Sequence, residues 1–117
     1  MSDTITIYHN PRCSKSRATL ALLEENDKQA NVVEYLKTPP SADQLNDILT
    51  MLGLEPRELM RTHEQEYKDA GLDDDALTRE QLIAAMVNHP KLIERPIVIK
   101  DGKAKIGRPP ESVLDIL

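Results

Sequence analysis

The stretch that most constrains this chain lies near its start. Thr4-Ile5-Thr6-Ile7-Tyr8 alternates and is β-branched, which reads as a strand. His9-Asn10-Pro11-Arg12-Cys13 breaks it, and Ser14 to about Asn26 is rich in helix formers, with Ala18, Ala21, Leu22 and Glu25 at helical spacing. A strand that passes through one polar turn into a helix needs partner strands, and later segments supply them. Asn31-Val32-Val33-Glu34-Tyr35-Leu36 reads as a second strand, stopped by Thr38-Pro39-Pro40. Ile97-Val98-Ile99 and Ala104-Lys105-Ile106, joined around Asp101-Gly102, read as a hairpin.

Between them lies a helical block. Ser41 with Gln44 makes a capping box ahead of the apolar stripe Leu45, Ile48, Leu49 and Leu52, and Gly53 ends the helix. Residues 55–77 read as short helical turns separated by Pro56 and Gly71. Thr78 with Gln81 is a second capping box, with Leu82, Ile83, Met86 and Val87 as the buried face and His89-Pro90 as the close. Pro109-Pro110-Glu111 opens a final helix that runs to Leu117. The order is βα, β, a helical block, ββ, α. It describes an α/β or mixed α+β fold of three layers, with a helical insertion between strand 2 and the C-terminal β-hairpin. No linker or repeat divides the 117 residues, so 1–117 reads as a single domain.

Composition narrows the function classes. A formal charge of −5 lacks the basic footprint of non-specific nucleic-acid binding. Aromatics are limited to Tyr8, Tyr35 and Tyr67, which nearly excludes base-stacking platforms. No run approaches the ~20 apolar residues of a membrane span. Met1-Ser2-Asp3-Thr4 lacks the basic and apolar regions of a signal peptide. A single cysteine forms no internal disulfide and no multi-cysteine metal site, so no metal is expected, and the usage fits a reducing compartment. Together these features place the chain in the cytoplasm.

That cysteine, Cys13, falls where a strand gives way to a helix, beside the unpaired N–H groups and positive end of the helix. Such positions lower a thiol pKa. Arg12, Lys15 and Arg17 add positive charge nearby. A lone cysteine is usually a small buried hydrophobe, but the polar flank Asn-Pro-Arg-Cys-Ser-Lys-Ser-Arg argues for a reactive one. Cys13-Ser14-Lys15-Ser16 is a Cys-x-x-Ser pattern. Ser16 can hydrogen-bond a thiolate but cannot resolve a mixed disulfide, so any redox cycle must borrow a thiol from another molecule. A phosphatase-type loop would place arginine where Thr19 stands. An oxyanion must therefore be held by arginines elsewhere, and Arg61, Arg95 and Arg108 are the candidates, weighed against the ordinary solvated arginine. His9 is either a proton shuttle or a turn-stabilising histidine. Asp73-Asp74-Asp75 lacks the glycine and distal glutamate of a calcium loop.

Ile7-Tyr8-His9-Asn10-Pro11-Arg12-Cys13-Ser14-Lys15-Ser16-Arg17 resembles the catalytic segment of the ArsC-type arsenate reductases, the glutathione- and glutaredoxin-dependent class. Collinear matches continue through Tyr35-Leu36-Lys37-Thr38-Pro39-Pro40, Glu58-Leu59-Met60-Arg61, Leu82-Ile83, His89 to Val98, and Ile106-Gly107-Arg108-Pro109-Pro110-Glu111. The chain carries Ser14-Lys15 where the well-studied resistance enzymes have small residues, and it ends at Leu117, resembling a short chromosomal branch of the family. The resemblance implies a thioredoxin/glutaredoxin-like fold with an extra helical lobe and a cis-proline at Pro96. It implies that Cys13 attacks arsenate, that Arg61, Arg95 and Arg108 hold the oxyanion, and that His9 and Ser16 assist the thiolate. It also implies glutathione as co-substrate and glutaredoxin as partner, with no resident cofactor. Two other readings stay open. One is a redox-independent adapter similar to Spx-type regulators, whose Cys-x-x-Cys switch Ser16 rules out here. The other is a glutathione-dependent thiol reductase with another substrate.

Overall fold

A computed structural model describes residues 4–117. Met1, Ser2 and Asp3, on which the reading of a missing leader partly rests, lie outside the described residues. The chain divides into two compact units, one formed by the segments up to Thr38 and from Arg95 onward, the other by Pro39–Glu94.

The first unit is built on a sheet of β1 (Ile5–His9), β2 (Ala30–Glu34), β3 (Ile97–Lys100) and β4 (Lys103–Ile106), in the order β2-β1-β3-β4. β1 and β2 run parallel, with Ile5 opposite Ala30 and His9 opposite Glu34. A parallel pair needs a crossover, and α1 (Ser14–Glu25) provides it. β3 runs antiparallel to both β1 and β4. The β3–β4 turn has positive φ at Asp101 (51°) and Gly102 (76°), the primed turn that an Asp-Gly pair supports. This parallel pair plus antiparallel hairpin is the thioredoxin-like arrangement. Ile5, Ile7, Leu23, Val98 and Val113 form a buried aliphatic cluster, flanked by Leu20, Leu22 and Ile116. α1 and the C-terminal segment therefore share one sheet face.

Three local readings need correction. In α1, Ala18, Ala21 and Glu25 are exposed; the buried positions are Ser16, Thr19 and Leu23. Two of the three inward residues carry hydroxyls. β2 stops at Glu34, because Lys37 and Thr38 donate their N–H groups back to the Glu34 carbonyl at 2.9 Å and turn the chain. The final helix is a 3₁₀ segment, Pro110–Ile116. Pro109 and Pro110 have no N–H to contribute to its first turn.

The second unit contains α2 (Ala42–Leu52), α3 (Pro56–Leu59), α4 (Gln65–Asp69), α5 (Arg79–Asn88) and a 3₁₀ turn, Pro90–Leu92. Both capping boxes form: Ser41 Oγ accepts from the Gln44 N–H at 3.1 Å, and Thr78 Oγ1 accepts from the Gln81 N–H at 3.2 Å. Gly53 closes α2 with a φ of 69°. α2 packs on α5, and Leu45, Ile48, Leu49, Leu82, Ile83 and Met86 are buried. An antiparallel bridge joins Met60 to Ile93 and so fixes the backbone on either side of Arg61 and Glu94. Among the described residues, no helix is long and apolar enough to cross a membrane.

Candidate functional site: a thiol between a helix N-terminus and two arginines

Asn10-Pro11-Arg12-Cys13 is a tight turn. The Cys13 N–H donates to the Asn10 carbonyl at 3.0 Å, and Asn10 Oδ1 accepts from the Arg12 N–H at 3.0 Å. Proline at the second position and an Asx side chain at the first favour this geometry. The turn delivers Cys13 as the N-cap of α1, in extended conformation. Burial by itself would raise the Cys13 thiol. The Ser16 N–H, the Arg95 guanidinium and the Lys15 N–H together outweigh it and hold the thiol below its ordinary 9.0.

Arg108 approaches the same sulfur, with Nη2 3.5 Å from Cys13 Sγ. Its Nε donates to the Arg95 carbonyl at 2.8 Å, so the two arginine segments brace one another. The hairpin explains how residues distant in sequence meet: β3 starts and β4 ends beside the C-terminal end of β1. The Gly107 N–H donates to the Pro96 carbonyl at 2.9 Å. A Cβ at Gly107 would collide with the Thr19 hydroxyl and the Pro96 ring, so only glycine lets this strand end come so close to α1. Both arginines precede cis prolines, at Arg95–Pro96 and Arg108–Pro109. Sequence spacing gave no warning of the second.

His9 and Ser16 meet behind the turn. His9 Nδ1 lies 2.6 Å from Ser16 Oγ, and the Asn10 N–H donates to the same oxygen at 3.0 Å. Both side chains are buried, Ser16 completely. Burial lowers the His9 pKa, Glu34 raises it and Arg17 lowers it again; the net direction is down, which keeps the ring neutral near pH 7. What Ser16 offers the thiol is thus its N–H, while its hydroxyl is taken up by His9 and Asn10.

Arg61 belongs to the second unit and sits in a network that the sequence reading missed. Its Nε pairs with Glu64 Oε1 at 3.2 Å and its Nη1 with Glu94 Oε1 at 2.9 Å. Its Nη2 lies 3.2 Å from His63 Nε2, and Lys91 Nζ reaches Glu64 Oε2 at 3.6 Å. Burial works against the Arg61 charge, but Glu64 and Glu94 more than restore it and raise its pKa. Glu64 is held below its ordinary carboxyl value: Arg61 and Lys91 outweigh the cost of burial. Glu64 stands three residues after Arg61, a spacing that could have been noticed. Glu94 has no such local signal. Among the described residues, no group of three or more His, Cys, Asp or Glu could hold a metal ion.

Comparison with known proteins agrees with this architecture. A family model described as the ArsC family matches residues 8–116. An Escherichia coli K12 protein named "Uncharacterized protein YfgD" is 57% identical, covering 100% of this chain and 99% of its own. A Neisseria meningitidis protein named arsenate reductase is 51% identical over 97% of each chain. The solved arsenate reductase from Vibrio cholerae superimposes with a TM-score of 0.96 at 52% identity, covering 100% of both chains. With its matched span, its identity to these relatives and its thioredoxin-like sheet, this chain belongs to the ArsC family.

Proposed function

We propose that this chain reduces arsenate to arsenite, with Cys13 as the nucleophile. One observation carries the reading: the Cys13 sulfur lies at the N-terminus of α1, 3.5 Å from Arg108 Nη2, and the Arg95 guanidinium helps hold the thiol pKa down. Binding an arsenate dianion beside a thiolate sets negative charge against negative charge. Two guanidinium groups and the helix N–H donors offset that repulsion and orient the arsenic for attack. The relatives from Neisseria meningitidis and Vibrio cholerae carry the name arsenate reductase. Arg61 is the third arginine that the family resemblance implies for oxyanion binding. His9 and Ser16 support the turn that presents the thiol, and the Ser16 N–H stabilises its charged form.

The chemistry then balances in four steps. The Cys13 sulfur bonds to arsenic(V) and water leaves. Glutathione adds through its sulfur, and a second water leaves. A glutaredoxin thiol attacks the glutathione sulfur; the arsenic–glutathione bond breaks and its electron pair stays on arsenic, which becomes arsenic(III). Water hydrolyses the remaining sulfur–arsenic bond, and arsenite and the Cys13 thiol are released. Two thiols supply two electrons and leave as one mixed disulfide. The single cysteine makes external thiols necessary, and a reducing cytoplasm supplies them. No resident cofactor takes part.

The test is a coupled assay with arsenate, glutathione, glutaredoxin and glutathione reductase with NADPH. Arsenate-dependent NADPH oxidation, lost in Cys13→Ser, is the expected result. Equal rates with and without arsenate would overturn the reading.

A further inference from the structure

Thr19 stands where a phosphatase-type loop would carry its arginine, six residues after the thiol. It is completely buried on the inward face of α1. Its hydroxyl donates to the Lys15 carbonyl at 2.8 Å, a common way for a helix to satisfy a threonine. That bond fixes the rotamer, and both branches of the side chain, Oγ1 and Cγ2, meet Gly107.

The contact is closer than a side chain at 107 allows. A Cβ placed on Gly107 would fall 3.1 Å from Thr19 Cγ2, 2.8 Å from Pro96 Cγ and closer still to Thr19 Oγ1. Gly53, Gly71 and Gly102 have the left-handed φ that favours glycine, and Gly107 does not. Space alone demands the glycine here. The Gly107 N–H donates to the Pro96 carbonyl at 2.9 Å, so its backbone is held between α1 and the start of β3. The next residue is Arg108, with Nη2 3.5 Å from the Cys13 sulfur and Nε on the Arg95 carbonyl at 2.8 Å. All these residues belong to the first unit.

We propose that Thr19 is a positioning residue, whose side chain sets how far the Arg108 guanidinium stands from the Cys13 sulfur. A loop that supplies its own arginine needs no such stop. Here the cation arrives at the end of another strand, and the helix that carries the thiol also carries the seat for it. The seat is narrow. A methyl is bulkier than the hydroxyl it replaces, and a packed wall yields to it only by moving the strand end. The effect on thiol acidity stands on geometry alone, whereas the effect on arsenate rests on the proposed reaction.

The experiment uses the whole chain. Thr19→Val should raise the midpoint of Cys13 alkylation by iodoacetamide. It should also raise KM for arsenate about threefold with kcat nearly unchanged, well short of the ~10²-fold cost of a full ångström of misplacement. Thr19→Ser keeps the small hydroxyl and should stay near wild type on both. With Arg108→Ala already in place, Thr19→Val should add nothing to either quantity. A structural role alone would lower the urea midpoint and leave alkylation and KM unmoved; that result overturns the proposal. So would an equal added shift in the Arg108→Ala background, which would mean that Thr19 acts through α1. Should Thr19→Val not fold, Gly107→Ala presses on the same contact from the hairpin side and should give the same shifts. In the wild type, a nuclear Overhauser effect between the Thr19 methyl and the Gly107 Hα is required, and its absence overturns the contact itself. The two readings fail separately. A midpoint that moves in a chain that does not turn over arsenate sinks the substrate and keeps the seat; arsenate turnover with midpoint and KM indifferent to Thr19 sinks the seat.

Discussion

Arg108 and Arg61 are the same residue type in two different electrical settings. Arg108 is exposed, holds the Arg95 carbonyl with Nε and lies 3.5 Å from the Cys13 sulfur. Arg61 is only 14% exposed, and its guanidinium is paired with Glu64 and Glu94. Arg108 therefore faces a group that becomes an anion only when its proton leaves, so its field favours thiolate. Arg61 faces anions that are already there, and its charge is locally compensated. The first arrangement stores reactivity and the second stores order. Arg61 is held by two carboxylates, Glu64 and Glu94, and Arg108 by its approach to the sulfur and to the Arg95 carbonyl.

The largest expected effect lies at the centre of the first arrangement. Cys13→Ser should lower turnover by about 10³-fold or more, since a hydroxyl at neutral pH is a far weaker nucleophile than a thiolate. The fold should persist, which circular dichroism checks. Next comes Arg108→Lys. It keeps the charge and loses the planar fork, so kcat/KM for arsenate should fall about 10²-fold, mostly through KM. Arg61→Lys should act mainly on kcat. Steady-state kinetics on both variants reads the contrast directly, and matching KM changes would erase it.

A smaller effect separates the two arginines by stability. Arg61→Met takes the main cation from two partly buried carboxylates and should cost about 1–2 kcal/mol. Arg108→Met, at an exposed position, should stay within about 0.5 kcal/mol of wild type. Urea denaturation measures both. The pH dependence has a definite sign. Glu64 is depressed below 4.5 in the folded state, so its contribution is fully present above that value and is lost as pH falls through the folded pKa. The deficit of Arg61→Met should therefore shrink in acid.

Much of this was legible along the chain, and the exceptions share a cause. The β1 strand, both capping boxes and the Asp101-Gly102 turn are local patterns, each determined by residues within a few positions. Cys13 at the strand–helix junction is local too. The inward face of α1 was not legible, because Ser16 and Thr19 are buried through hydrogen bonds to His9 Nδ1 and the Lys15 carbonyl and not through apolarity. The approach of Arg108 to the sulfur depends on the hairpin register and on a glycine that fits against Thr19. The Glu94 partner of Arg61 depends on the Met60–Ile93 bridge. No spacing rule contains those long-range facts.

Ser16 refines the first arrangement at the smallest scale. Ser16→Ala removes the buried hydroxyl that pairs with His9 Nδ1 and accepts from the Asn10 N–H, and should cost about 1 kcal/mol of stability. The backbone N–H beside the sulfur remains, so the acidity of the thiol should scarcely change. A large rise in thiol pKa in this variant would mean that the hydroxyl, not the N–H, stabilises the thiolate.

The most direct test of the central claim is the pH dependence of Cys13 alkylation by iodoacetamide. The chain has one cysteine, so the rate reports on this sulfur alone. The midpoint should lie below that of a free cysteine, ~8.5, in the wild type and rise in Arg95→Ala and Arg108→Ala, because each removes a guanidinium beside the sulfur. A wild-type midpoint at the free-cysteine value, unmoved by either substitution, would contradict the account.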